Sequence, residues 1–181
     1  MSSVQRAHEI LQHAELLCSP EQVQAALHKV AGQINAALKN AHPLVLSVMG
    51  GGVVFSGQLL PLLDFPLDFD YVHVSRYRDA RRGGALHWKV APRENVRDRV
   101  VLVLDDILDE GHTMEALRLK VMELGARKFY SAVFADKLHD KKKPIHADFI
   151  GTELPDRFVF GYGMDIEGMW RNLPAIYAIK E

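Results

Sequence analysis

Adjacent carboxylates at Asp105 and Asp106, followed by Asp109-Glu110-Gly111-His112-Thr113, set two different chemistries side by side in one short segment. Like charges repel, so the side chains of Asp105 and Asp106 do not hold a phosphate. They suit sugar hydroxyls, which donate hydrogen bonds to carboxylates, or a hydrated Mg²⁺. Asp109 to Thr113 leads into a helix, where free backbone N–H groups and the positive dipole end attract a phosphate and the Thr113 hydroxyl can add a bond. A diol clamp beside an anion cradle matches a ribose 5-phosphate better than a dinucleotide or a triphosphate. Taken as scaffold alone, the same residues would be an acidic turn capping a helix.

The flanking residues say how such a segment is positioned. Val100 to Leu104 is a continuous apolar run, as in a central parallel strand covered on both faces, and Met114, Leu117, Val121 and Leu124 recur at helical spacing before Gly125. Asp105 to Thr113 is therefore expected as a loop between strand and helix, where open α/β sheets bind ligands. Gly50-Gly51-Gly52 has a similar setting, after a strand at Pro43 to Met49 and before a helix at Val53 to Leu60, so bare backbone can approach an anion closely. Neither a Walker loop nor a dinucleotide fingerprint fits there: Gln58 follows Gly57, and Phe55 stands at the third glycine position.

Elsewhere the pattern is scaffold. The first forty residues read as helical, with Ile10, Ala14 and Leu17 on one face and a restart at Ser19, whose capping box with Gln22 and Pro20 precedes a stripe of Val23, Leu27, Val30, Ile34 and Leu38. Strands are expected at Phe69 to Val74, His87 to Val90, Lys128 to Ala135, Phe149-Ile150 and Phe158 to Phe160. Ser75 to Leu86, with Arg76, Arg78, Arg81, Arg82 and Gly83-Gly84, reads as a mobile surface loop of a long hairpin. The alternation predicts one α/β domain over 1–181, a mostly parallel sheet flanked by helices.

Composition narrows the function classes. The 181 residues are 48% hydrophobic and 25% charged with a formal net charge of −1, which argues against a general nucleic-acid binder despite basic stretches at Arg76 to Arg82 and Lys141 to Lys143. A lone Cys18 allows no intramolecular disulfide and suits a reducing, cytoplasmic setting. With no apolar signal core near Arg6, His8 and Glu9 and no membrane-length apolar run, neither export nor membrane insertion is expected. The histidines lack metal-ligand spacing.

The hydrophobic strand, acidic pair, two aliphatics and Asp-x-Gly-x-Thr resemble the signature of the type I phosphoribosyltransferases, which use 5-phosphoribosyl 1-pyrophosphate (PRPP). The resemblance extends to the hypoxanthine-guanine branch over about Pro43 to Arg171. It implies the type I fold, with a small hood carrying the base pocket. It also implies that Asp105 and Asp106 hold the ribose hydroxyls, that Asp109, Glu110, Gly111, His112 and Thr113 wrap the 5-phosphate, and that Asp109 is the general base. By the same resemblance Gly50 and Gly51 with Arg171 contact pyrophosphate, Lys137 donates to a purine 6-oxo group, Phe158 stacks on the base, and Val159 reads its edge through backbone atoms. Asp165, with Asp105 and Asp106, would help hold Mg²⁺, and Ser75-Arg76-Tyr77 would belong to a mobile catalytic lid. Two positions depart from the branch: Gly50 replaces a basic residue, and Arg76 replaces a serine. The implied reaction makes IMP or GMP and pyrophosphate from hypoxanthine or guanine, with small-molecule partners and a homodimer or homotetramer as assembly. Alternatives are a xanthine- or other base-specific transferase, or a non-catalytic nucleotide- or RNA-binding regulator on the same fold.

Overall fold

The computed structural model describes residues 2–76, 86–92 and 96–180. Its elements run α1 (Ser3–Gln12), β1 (Ala14–Cys18), α2 (Pro20–Leu38), β2 (Leu44–Met49), α3 (Gly52–Leu59), β3 (Asp68–Arg76), β4 (Leu86–Val90), β5 (Val100–Leu108), α4 (His112–Glu123), β6 (Lys128–Lys137), β7 (Phe149–Leu154), β8 (Val159–Phe160) and β9 (Ile176–Ile179). A six-stranded sheet has the order β4-β3-β2-β5-β6-β7, with only β4 antiparallel to its neighbour. β5, flanked on both sides, alternates its side chains between two cores. Val100, Leu102 and Leu104 face a cluster with Leu27, Ile34 and Phe55 of α2 and α3. Val101 and Val103 face another with Met114, Leu117 and Val121 of α4. Strands buried on both faces read as unbroken apolar runs, which is why this sheet was legible.

The capping box at Ser19 forms as read: its hydroxyl accepts from the Gln22 N–H, and the Gln22 side chain accepts from the Ser19 N–H. The N-terminus is not helical throughout. Ala14 to Cys18 is a strand that pairs antiparallel with β9, and β9 pairs with β8, forming a second, three-stranded sheet: the hood. Ala14 and Leu17 keep helical spacing from Ile10, but their partner lies at the other end of the chain, where local periodicity has no view.

Further boundaries differ from expectation, β6 reaching Lys137 and β7 reaching Leu154 among them. β5 continues through Asp105 to Leu108 because β6 pairs alongside it, Asp105 opposite Val133 and Leu108 opposite Asp136. The acidic pair thus stands on a strand. Ser75 and Arg76 likewise belong to β3, opposite His87 and Leu86 of β4. β8 begins at Val159, leaving Phe158 outside it. Tyr77, the rest of the expected lid up to Ala85, and residues 93–95 lie outside the described residues.

Candidate active site

Strand pairing carries the backbone of β5 up to Leu108, leaving Asp109 to Gly111 as the whole turn into α4. Gly111 takes φ +80°, a conformation that a side chain disfavours, and its carbonyl accepts from the Glu115 N–H at 3.0 Å to start the helix. Asp105 to Met114 line a cavity of about 230 Å³ at this helix start. Asp105, Asp106, Asp109, Glu110, Gly111, His112 and Thr113, the residues singled out for ribose and 5-phosphate, therefore share one concavity.

Asp105 and Asp106 point to opposite faces of the strand, yet they are electrostatically linked. The Asp106 N–H donates to the Asp105 carboxylate at 2.9 Å, and the Ile107 N–H donates to Asp106 at 2.9 Å. Burial, followed by the Asp106 charge, pushes the Asp105 carboxyl well above the ordinary aspartate range. Burial also raises Asp106, against the opposing pull of its hydrogen bonds and of the Arg171 charge.

Gly51 explains how the β2–α3 turn packs so closely on this pair. A Cβ on Gly51 would lie 1.9 Å from an Asp106 carboxylate oxygen, so only glycine lets the β2–α3 turn close on Asp106. The Met49–Gly50 peptide in the same turn is cis, and space is open around Gly50. Gly163 of the hood, with φ +102°, presses on the same turn: its Cβ would lie 2.2 Å from the Gly51 carbonyl oxygen. Two glycines thus bring the hood onto the β2–α3 turn, beside the core in which hood Tyr162 packs against Phe134.

Across that joint a second cavity of about 240 Å³ is lined by Asp106, Ile107, Asp109, Lys137, Phe158, Val159, Met164, Asp165 and Arg171. Lys137 ends β6 and donates to the Asp109 carboxylate at 3.1 Å. Arg171 donates to Asp165 at 2.5 Å and to the Gly163 carbonyl at 2.6 Å, while the Gly168 N–H donates to the other Asp165 oxygen at 2.8 Å. Phe158 is 56% exposed on the rim, and Val159 is buried behind it. Glu110 is paired with Lys141 at 2.6 Å.

Asp105, Asp106 and Asp165 do not gather as one protein cage: among the described residues no group of three or more His, Cys, Asp or Glu side chains is placed to hold a metal ion. Two residues beside the site escaped the sequence reading. The His139 ring is buried with Nε2 at 3.2 Å from the Asp109 carbonyl oxygen. Lys143, taken only as part of a basic stretch, is buried beneath the strand ends. Its contacts come from the fold of the 138–148 segment, and a run of three lysines gives no sign of which one turns inward.

This geometry, a mostly parallel sheet with an acidic pair on a central strand, a cavity-lining turn at a helix start and a hood beside it, defines a class. Residues 18–167 match the model of the phosphoribosyl transferase domain, and the chain belongs to that family. It is 30% identical over 167 residues to the hypoxanthine-guanine phosphoribosyltransferase of Bacillus subtilis (strain 168), a match spanning 92% of this chain and 93% of that one. The hypoxanthine-guanine-xanthine phosphoribosyltransferase of Tritrichomonas foetus is also 30% identical, over 92% of this chain and 91% of the relative. The crystal structure of a hypoxanthine phosphoribosyltransferase from Staphylococcus aureus superposes with a TM-score of 0.88 at 26% identity, covering 99% of this chain and 96% of that one.

Proposed function

We propose that the chain is a purine-salvage transferase that moves ribose 5-phosphate from PRPP to N9 of hypoxanthine or guanine, giving IMP or GMP and pyrophosphate. The observation that carries this reading is the Lys137–Asp109 pair, whose donor and acceptor lie 3.1 Å apart on the wall of the cavity that Phe158 and Val159 also line. A 6-oxopurine offers the complementary pair on one edge, an oxo acceptor beside an N7–H donor. Lys137 would turn to the oxo group and Asp109 to N7–H, exchanging one internal ion pair for two bonds to the base.

The residues divide the work by chemistry. Gly111 to Thr113 at the start of α4 hold the 5-phosphate, and the Asp105 and Asp106 carboxylates accept from the ribose hydroxyls. Amides of the Gly50-Gly51 turn and Arg171, once released from Asp165, meet the pyrophosphate as the C1–O bond breaks. N9 forms its bond to C1, and the N7 proton passes to the Asp109 carboxylate. Phe158 stacks on the base, and Val159 lines its edge through backbone.

An oxygen-donor set of Asp105, Asp106 and Asp165 fits Mg²⁺, which takes few protein carboxylates and completes its shell with water and substrate phosphates. The protonated tendency of the buried Asp105–Asp106 pair is what a divalent cation would relieve. When bound with PRPP it would neutralise charge on the departing pyrophosphate. The wider reading includes a homo-oligomer and a cytoplasmic setting, the latter in keeping with a buried Cys18 that forms no disulfide. Xanthine is a further candidate base, because one relative of equal identity carries xanthine in its name.

The test is pyrophosphate release with Mg²⁺ and PRPP, offering hypoxanthine, guanine, xanthine, adenine and uracil separately. Adenine places an amino donor against the Lys137 ammonium, so its kcat/KM should fall below that of hypoxanthine by about a thousandfold or more. Release with adenine equal to hypoxanthine, or none with any base, would overturn the reading.

A further inference from the structure

The Lys143 ammonium sits beneath the site with its side chain 8% exposed, and it meets three acceptors. It donates to the Leu108 carbonyl at 3.0 Å, to the Lys137 carbonyl at 2.6 Å and to the Asp136 carboxylate, whose side chain is only 13% exposed. An ammonium has three protons, so this donor set is complete. Leu108 is the last residue of β5 and immediately precedes Asp109; Asp136 and Lys137 are the last two of β6. One buried cation therefore fastens the C-terminal ends of the two strands that present the proposed base acceptor and the proposed 6-oxo donor.

We propose that Lys143 is a positioning residue for recognition of the nucleobase, setting the spacing of Asp109 and Lys137 without touching substrate. The proposal rests on the transferase reading above and deepens it. Strand pairing fixes only one of these ends: Lys137 is still paired with Leu154 of β7, whereas the register of β5 with β6 stops at Leu108 opposite Asp136, one residue short of Asp109. Beyond that point the Lys143 bonds to the Leu108 and Lys137 carbonyls tie the end of β5 to the end of β6, beside the His139 contact to the Asp109 carbonyl. The 5-phosphate cradle has supports of its own: Gly111 lies beside Pro144 and Ile145, but its carbonyl also accepts from the Glu115 N–H in the first turn of α4, and Met114 and Leu117 anchor that helix in the core. Loss of the clamp should therefore weaken the base side of the site and leave the phosphate side intact.

Two variants separate positioning from simple charge burial. Lys143→Met removes the ammonium and strands the Asp136 carboxylate, which lowers stability on its own account. Asp136→Asn/Lys143→Met removes both charges and should recover part of the lost melting temperature, yet leaves the Leu108 and Lys137 carbonyls without the ammonium they share. The expected result is a KM for the preferred base raised about tenfold to a hundredfold in both variants, as displacements near an ångström produce, with the KM for PRPP within about twofold of the parent. A base KM that returns to the parent value in the double variant, or equal losses for base and PRPP, would overturn the proposal. If the parent chain itself shows no base-dependent pyrophosphate release, the transferase reading fails separately. The clamp is then judged from the ligand-free crystal structure of the double variant: a Lys137–Asp109 distance kept near 3.1 Å overturns it, and a parted pair supports it.

Discussion

Asp109 is solvent-accessible at the mouth of the site, tied to Lys137 by an ion pair and to the His139 ring through its own backbone carbonyl. Replacing its carboxylate with an amide keeps the turn and its backbone N–H groups but removes the proton acceptor. Asp109→Asn should thus lower kcat by about 10²- to 10⁴-fold with little change in the KM for PRPP, measured by steady-state pyrophosphate release. Retained turnover would remove Asp109 from the proposed chemistry. Gly50 is a different case, because a Cβ there meets nothing within 4 Å and its φ is not positive, so a side chain is tolerated. Gly50→Lys, which restores the basic residue usual in the branch, should lower the KM for PRPP by about threefold to tenfold through a charge-assisted bond to pyrophosphate. An unchanged KM would show that the backbone amides alone suffice in this chain. The residue types in the signature were legible because each chemistry needs a particular functional group. The Lys137–Asp109 and Lys143–Asp136 pairings were not, since they join residues that meet only where two strands end together.

Among the elements, β5 departs most instructively from its sequence pattern. Aspartates are poor strand formers, and the acidic pair marks a loop when judged by propensity, but β6 continues its pairing past Asp105 and tertiary context prevails. The cost is electrostatic. Burial first, and the Asp106 charge second, hold the Asp105 carboxyl well above its ordinary range. A carboxyl with a folded-state pKa above its unfolded value binds protons more tightly when folded. Its contribution to stability is therefore fully present at low pH and is lost as pH rises from the ordinary aspartate range through the raised value. Asp105→Asn escapes that loss. Its melting temperature relative to the parent chain should rise as pH moves from below 4 toward neutrality and above, each kcal/mol of relief appearing as about 2–4 °C. Thermal denaturation across pH without Mg²⁺ makes the comparison; a difference that is flat or falls with pH would contradict the assignment. Adding Mg²⁺ to the parent should narrow the gap if the acidic pair takes part in holding the cation.

At the scale of the whole molecule, the site exists because two sheets of different origin share a core, in which Val159, Tyr162 and Ile176 of the hood pack with Leu104 and Phe134 of the main sheet. The six-stranded sheet was readable from apolar runs and helical stripes, each local in sequence. The hood was readable only in part, since β1 near the start of the chain pairs with β9 near its end, and neither strand carries a pattern that names its partner. Its attachment is equally non-local. Trp170 donates from its indole to the Ala7 carbonyl at 2.8 Å, and Arg6 pairs with Glu167 at 3.0 Å, so α1 braces the hood turn that carries Arg171. Gly163 packs tightly on the Gly51 carbonyl, where a side chain would force the hood or the turn to shift. Gly163→Ala is doubly disfavoured, by φ +102° and by a Cβ at 2.2 Å from that oxygen. The hood must then shift, moving Phe158, Val159 and Arg171 together relative to Asp106 and Asp109. Base and pyrophosphate binding should weaken together, by about tenfold or more, while ribose 5-phosphate binding to the α4 turn changes little. Calorimetric titration with IMP, pyrophosphate and ribose 5-phosphate distinguishes this outcome from general unfolding, in which all three would be lost in proportion. It also separates a mobile hood from a rigid one: unchanged binding of all three would mean that the strain is absorbed within the Gly51 turn.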